Sequence, residues 1–397
     1  MVQNRNRLVV DVAASGNEAL LKSSVGCIRV VTNDTATASI GTASDYAVWY
    51  FLPIAMRLDM DLHICGRGSP TTALKARRIS EIWQSWLPGH LSRVEVSFSE
   101  EVRRDEPASD RELVFLSGGL DAAHTALTRL ASGRSQDVIT IQGMDYPLDD
   151  DARFGALVAK TAPLAELLSG RRIIVKSDAY SLYEKVELNL RRHHLGHIFA
   201  LAGAGFVHAH GYNRLILAAD ERLDGQFLTF PWGSNSATNF LFDDGCTRLC
   251  SDSEDVARPE KIALVQSSEI ALKSLSFCWN RQVQPQNCGI CVKCLRTKLL
   301  FLAVTGGVPP IFSVDEIPKN WAERLRYKEP GGLHAVHEIL NEGLASGYWR
   351  RIPNFEDMRA EVRAYYGRVK YRRWEKERGK QKGRRFSITE IIRSLRR

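Results

Sequence analysis

The sequence predicts an α/β protein: a parallel sheet flanked by helices, preceded by a small α+β unit and followed by a helical extension. Two observations carry this. Short β-rich runs, LVFL, DVITIQ, RRIIVKS and RLILAAD, recur roughly every 25 to 40 residues, with helical patterns filling the gaps. That alternation favours parallel strands joined by crossover helices. From about Leu295 onward the pattern turns helical and stays so.

Taken in order, residues 1–105 read as the small α+β unit. LVVDVAA and GCIRVVT are strand-like, and DYAVWYFLPIAMRL is a buried helix interrupted by Pro53. DLHIC is a strand, PTTALKARRISEIWQSWL an amphipathic helix starting at Pro70, and HLSRVEVSF an alternating strand. The polar run EEVRRDEPASDRE, residues 100–112, is the expected linker. Residues 111–305 are the expected parallel-sheet domain, and 306–397 the helical extension.

Composition sets limits. With 44% hydrophobic and 25% charged residues, the 397-residue chain reads as globular. No segment approaches the roughly 18 uninterrupted apolar residues of a membrane span. MVQNRNRLVVDV lacks a signal-peptide core, and eight cysteines are few for a disulfide scaffold. A cytoplasmic protein without membrane attachment is expected. Thirteen Lys/Arg against three Asp/Glu lie from Gly367 to Arg397, a local +10. The formal +8 of the chain therefore leaves about −2 for the rest. Tyr371, Trp374 and Phe386 interleave those cations, a pattern that suits nucleic acid or an acidic surface as readily as a solvated tail.

The stretch ELVFLSGGLDAAHTALTRLA, from Glu112 to Ala131, joins a strand to a helix through two glycines. Gly118 and Gly119 allow close backbone approach, and a helix N-terminus favours phosphate. A plain turn capped by Asp121 is the bland alternative. The whole string resembles the SGGxDS loop of the PP-loop (N-type) ATP pyrophosphatases, among them asparagine, GMP and NAD synthetases and 7-cyano-7-deazaguanine synthase. The resemblance implies that Ser117, Gly118, Gly119, Leu120 and Ala122 hold the phosphates of ATP and that Asp121 faces Mg2+. Ala122 departs from the usual Ser and keeps only its backbone donor.

Cys288, Cys291 and Cys294 form C-x2-C-x2-C, with Cys278 ten residues earlier. Four thiolates suit tetrahedral Zn2+ in a structural site, with an iron–sulfur cluster or core cysteines as alternatives. CGICVKC and Arg296 also resemble the knuckle of the 7-cyano-7-deazaguanine synthase branch. This likeness spans about residues 111–305 and implies deazapurine chemistry.

In FPWGSNSATNFLFDDG, residues 230–245, Trp232, Ser234 and Asn235 offer a stacking face and polar groups for a second substrate, and Asn239 offers more. An ordinary solvated loop is the alternative. DVARPEKIAL places Arg258 and Lys261 where they oppose a helix dipole, either for an anion or as a surface pair with Glu260. It loosely resembles the CRPEF segment of the same synthase, so both cations are candidate catalytic residues. His193 and His197 share a helical face without an HExxH glutamate, which favours packing or substrate contact over metal. Cys246 and Cys250 in CTRLC could form a redox pair or a sulfur relay, the catalytic cysteine a tRNA thiolase would need, but read as incidental.

Together these features lead us to expect an ATP-dependent ligase releasing AMP and pyrophosphate. It would activate a carboxylate or carbonyl oxygen for attack by a nitrogen nucleophile. No Cys follows Met1 to serve as a glutaminase nucleophile, so free ammonia or an amine-bearing substrate is expected. A tRNA-modifying adenylating enzyme and a non-catalytic zinc protein that binds nucleic acid are the alternatives. The acceptor and the oligomeric state stay open.

Overall fold

The computed structural model describes residues 6–33, 40–103, 110–134, 136–168, 170–188, 195–227, 230–365 and 367–368. His193 and the basic run from residue 369 onward lie outside the described residues. The chain divides into two compact units, Met1–Cys294 with Pro309–Asp315 and Leu295–Val308 with Glu316–Arg397.

The first unit opens with β1 (Arg7–Ser15), β2 (Glu18–Ser23) and β3 (Gly26–Thr32), an antiparallel meander. Then come α1 (Asp45–Leu58), β4 (Asp61–Gly68), α2 (Pro70–Trp86) and β5 (Val96–Glu101). Leu8 and Val10 of β1 turn inward while Arg7 and Val9 face out, the alternation of a sheet covered on one side. α1 is buried along nearly its whole length. Pro53 does not interrupt it, because the helix runs through without a break. α2 starts as its sequence dictates, with the Ser69 hydroxyl accepting from the Thr71 amide at 3.2 Å and Pro70 in the first turn.

The alternating half follows. It contains β6 (Glu112–Phe115), α3 (Leu120–Ala131), β7 (Asp137–Gln142), α4 (Asp151–Leu167) and β8 (Arg172–Ser177). Next are α5 (Ala179–Lys185), α6 (Leu195–Phe206), β9 (Arg214–Ala218), α7 (Ser236–Asn239) and β10 (Arg248–Asp252). Two short helices, α8 (Arg258–Gln266) and α9 (Glu269–Ser274), precede α10 (Val292–Thr305).

All ten strands share one mostly parallel sheet in the order β10-β9-β6-β7-β8-β3-β2-β1-β4-β5. The five strands from β10 to β8 are mutually parallel. All four residues of β6 are buried, as a strand covered on both faces requires. The expected boundary near residues 105–111 does not divide the sheet. β3 pairs with β8 in antiparallel register, Val30 to Ser177, Val31 to Lys176 and Thr32 to Val175. The small N-terminal unit thus continues the parallel sheet.

The topology creates one crevice of interest. From β6 the chain builds outward through β7 and β8, then crosses back to set β9 on the other side of β6. The loops leaving β6 and β9 therefore diverge at their carboxyl ends, where open α/β sheets bind ligands.

The described elements of the second unit are helical and include the later part of α10, α11 (Trp321–Arg324) and α12 (Pro330–Ala345). Arg296 binds Glu338 at 2.9 Å, and the indole of buried Trp321 donates to the Pro353 carbonyl at 2.8 Å. Among the described residues, no helix is long and apolar enough to cross a membrane.

Candidate functional site

The glycine turn sits at the crevice. Gly118 has φ +82°, a conformation that favours glycine, and its carbonyl accepts from the Ser276 amide at 2.7 Å. A Cβ there would meet Leu157 and Thr161 at 3.2 Å and Ser276 at 3.3 Å, so this glycine serves packing as well as backbone shape. Gly119 differs. Its φ of −71° is ordinary, and a Cβ would meet only Ser117 Oγ, at 3.4 Å. Its amide donates to Ser117 Oγ at 3.3 Å.

Gly119, not Asp121, occupies the N-cap of α3, and no side chain caps that end. The first-turn amides thus keep donor capacity and the positive end of the helix dipole. Leu120 and Ala122 are buried, so their side chains take no part in contacting a ligand.

α8 brings two cations to the same place. Its start is fixed by Pro259 and by Glu260, whose carboxylate accepts from the Ala257 amide at 2.7 Å. Glu260 therefore acts as a cap. Lys261 Nζ lies 3.0 Å from Asp121 Oδ1 and donates to the Ala219 carbonyl at 2.6 Å. Arg258 donates to the Asp220 carbonyl at 2.7 Å and lies 3.4 Å from Asp121 Oδ2 and 3.7 Å from Glu221. Together they tie the end of β9 to the first turn of α3.

One turn along α3, buried His124 meets Ser253 Oγ at 3.3 Å through Nδ1, and Ser253 donates to Asp252 at 3.1 Å. Burial, and then the charge of Lys261, push the His124 imidazole below its usual range. Asp220 and Ser253 were not singled out by sequence reasoning. The signal for Asp220 was present, since it ends the run RLILAAD at a strand's carboxyl edge.

The 230–245 loop is anchored to this edge. Trp232 Nε1 donates to Asp220 Oδ2 at 3.1 Å, and the His197 ring lies 6.1 Å from that indole. The amides expected to meet a second substrate are engaged within the loop and with β10. Asn235 caps α7, accepting from the Thr238 amide at 3.1 Å and donating to the Trp232 carbonyl at 2.7 Å. Asn239 donates to Ser234 at 3.2 Å and Ser251 at 2.8 Å. Of the three residues expected to face substrate, only Trp232 remains partly open; Ser234 and Asn235 are buried. Burial pushes the Cys250 thiol above its ordinary value, which lowers its thiolate fraction.

The cysteine cluster forms as expected. The sulfurs of Cys278, Cys288, Cys291 and Cys294 all lie within 4.8 Å of one another. Backbone amides converge on them. Asn280 N lies 3.3 Å from Cys278 Sγ, and Ile290 N and Cys291 N lie 3.4 and 3.3 Å from Cys288 Sγ. Burial pushes the Cys278 thiol above its ordinary value, whereas a hydrogen bond from Cys294 holds Cys291 below its own. Four soft donors with amides aimed at sulfur fit a tetrahedral divalent metal such as zinc.

No family model, curated protein or solved structure matches the chain.

Proposed function

We propose that this chain is an ATP-dependent, AMP-forming ligase that joins a nitrogen nucleophile to an activated carboxylate or carbonyl carbon. The observation that carries the reading is the meeting of Lys261, Arg258 and Asp121 beside an uncapped glycine turn at the sheet's crossover.

In this reading the amides of Gly119, Leu120 and Ala122 and the Ser117 hydroxyl grip the β- and γ-phosphates. The acceptor's oxygen attacks the α-phosphorus and pyrophosphate departs. Lys261 and Arg258 offset the growing charge without reorganising, because both are already held by carbonyls of the β9 edge. Asp121 keeps the two cations in place, and its carboxylate, one-fifth exposed, is the group that would hold Mg2+. Bound magnesium would supply charge neutralisation for the phosphates. Trp232 forms one wall of the acceptor's approach. The nitrogen nucleophile then attacks the activated carbon and AMP leaves. Zn2+ on the four cysteines has a structural part, since no open position remains for water. A deazapurine acid is the acceptor class we favour, and a cytoplasmic setting belongs to the same reading.

A thiol-transferring tRNA enzyme is less well supported, because burial makes the Cys250 thiol harder to ionise. A purely nucleic-acid-binding zinc protein would leave Lys261 only its structural ties to Asp121 and the Ala219 carbonyl and would give the uncapped glycine turn no ligand. Mass spectrometry of the protein incubated with ATP, magnesium, ammonium and deazapurine acids tests the proposal. An amide or nitrile product supports it, and unchanged acids throughout argue against this acceptor class.

A further inference from the structure

The outer surface of the cysteine knuckle carries features that the adenylation chemistry does not use. Trp279 follows the first cluster cysteine and is 56% exposed, the one large exposed tryptophan among the described residues. Trp49, Trp83 and Trp321, by contrast, are buried. Lys293 Nζ sits 5.3 Å from the Trp279 ring centroid, a cation–π distance. Ile290, 52% exposed, tops the turn between Cys288 and Cys291, and the Trp279 amide points at the Cys291 sulfur. Arg281 is exposed two residues beyond the ring.

The surface is also held still. Gln284 donates to the Cys278 carbonyl at 2.6 Å, Gln282 N donates to Asn280 Oδ1 at 3.1 Å, and Arg153 donates to the Arg281 carbonyl at 2.6 Å. Two cations stand at this surface: Arg281 is exposed and Lys293 lies over the ring, whereas Lys273 pairs with Glu269, Arg296 with Glu338, and Lys298 is buried. An exposed aromatic ring beside two cations suits a base and its phosphates better than it suits a neutral protein surface.

We propose that this knuckle is a binding platform for single-stranded nucleic acid. An unpaired base stacks on the open face of Trp279, Ile290 borders it, and Arg281 and Lys293 meet the backbone phosphates. Trp279 lies three residues after Ser276, whose amide holds the Gly118 carbonyl at 2.7 Å. The platform is therefore within about 11 Å of chain reach from Ser276, the residue that touches the glycine turn.

The test is fluorescence anisotropy of a labelled dT20 strand titrated with the full chain, without ATP, at 50 to 200 mM salt. Omitting ATP separates this outcome from that of the AMP-forming reading. Trp279→Ala should weaken binding about 10-fold with an unchanged salt slope, and Trp279→Phe should recover most of the loss. Lys293→Gln should lower the slope by about one. Metal content and circular dichroism equal to wild type establish that each variant is folded. Failure of the wild-type chain to bind dT20, or binding by Trp279→Ala within twofold of wild type, overturns the proposal. Preference for a blunt duplex, or equal competition by polyglutamate, does so as well.

Discussion

Lys261 and Asp121, 140 residues apart in sequence, form an ion pair of 3.0 Å in which the ammonium is 1% exposed and the carboxylate 20%. Lys261→Met takes the ammonium away from that carboxylate and should cost about 2–3 kcal/mol, less than a fully buried pair because Asp121 is partly solvated. Pairing it with Asp121→Asn should recover part of the thermal stability yet none of the AMP formation. Asp121→Asn alone should slow AMP formation about 100-fold. Thermal melts and AMP assays on the three variants check this. Full activity in Lys261→Met would remove it from the site.

The two glycines should separate structure from chemistry. Gly118→Ala puts a methyl group against Leu157, Thr161 and Ser276 at a positive φ and should destabilise the fold by about 1–3 kcal/mol. Gly119→Val meets only Ser117, so it should fold and lose ATP binding. Equilibrium dialysis with ATP, beside denaturant melts, distinguishes the two. Unimpaired ATP binding by folded Gly119→Val would mean that the phosphates lie elsewhere.

Elemental analysis should find about one zinc per chain. Cys291→Ser should reduce soluble yield more than it changes the chemistry of the protein recovered. Iron with visible absorbance would replace zinc by a cluster in this account.

Acid stability should depend on Asp137, which is 1% exposed. Burial pushes its carboxyl up, but the Tyr212 hydroxyl at 2.5 Å and the Arg171 amide at 2.7 Å, with Arg111 and Arg171, hold it below its ordinary value of 3.8. A folded pKa lower than the unfolded one stabilises above the unfolded value of about 3.9 and is lost as pH falls through the folded one. Asp137→Asn should cost about 1–3 kcal/mol at pH 7 and flatten the stability curve below about pH 4. Parallel acid limbs for wild type and variant would contradict this linkage.

Truncation after Tyr366 removes the net +10 of the terminal 31 residues. AMP formation should survive, while nucleic-acid binding should lose part of its salt dependence. Loss of turnover on truncation would assign the tail a part in the site.

Much of this was legible because it is local. Strand-helix rhythm marked β6 to β9, the glycine pair marked the turn, and C-x2-C-x2-C marked the sulfur cluster. What escaped depends on partners far away in sequence. Nothing in GCIRVVT announces that Val30 to Thr32 will pair with Val175 to Ser177 and fuse two expected units into one sheet. The direction of an amide is equally hidden. Asn235 reads alike whether it caps α7 or faces a ligand, and only the fold decides. Lys261 was noticed for opposing a helix dipole; its buried contact with Asp121 arises from the packing of α8 against α3.

The most direct test of the central claim is the nucleotide product. The full chain is incubated with ATP labelled at the α-phosphate, together with magnesium, ammonium and a deazapurine acid, and the labelled nucleotides are separated. The account predicts labelled AMP with an equal amount of pyrophosphate, both abolished by Gly119→Val. Labelled ADP with inorganic phosphate would contradict it, because a turn that grips pyrophosphate exposes the α-phosphorus and not the γ-phosphorus to attack.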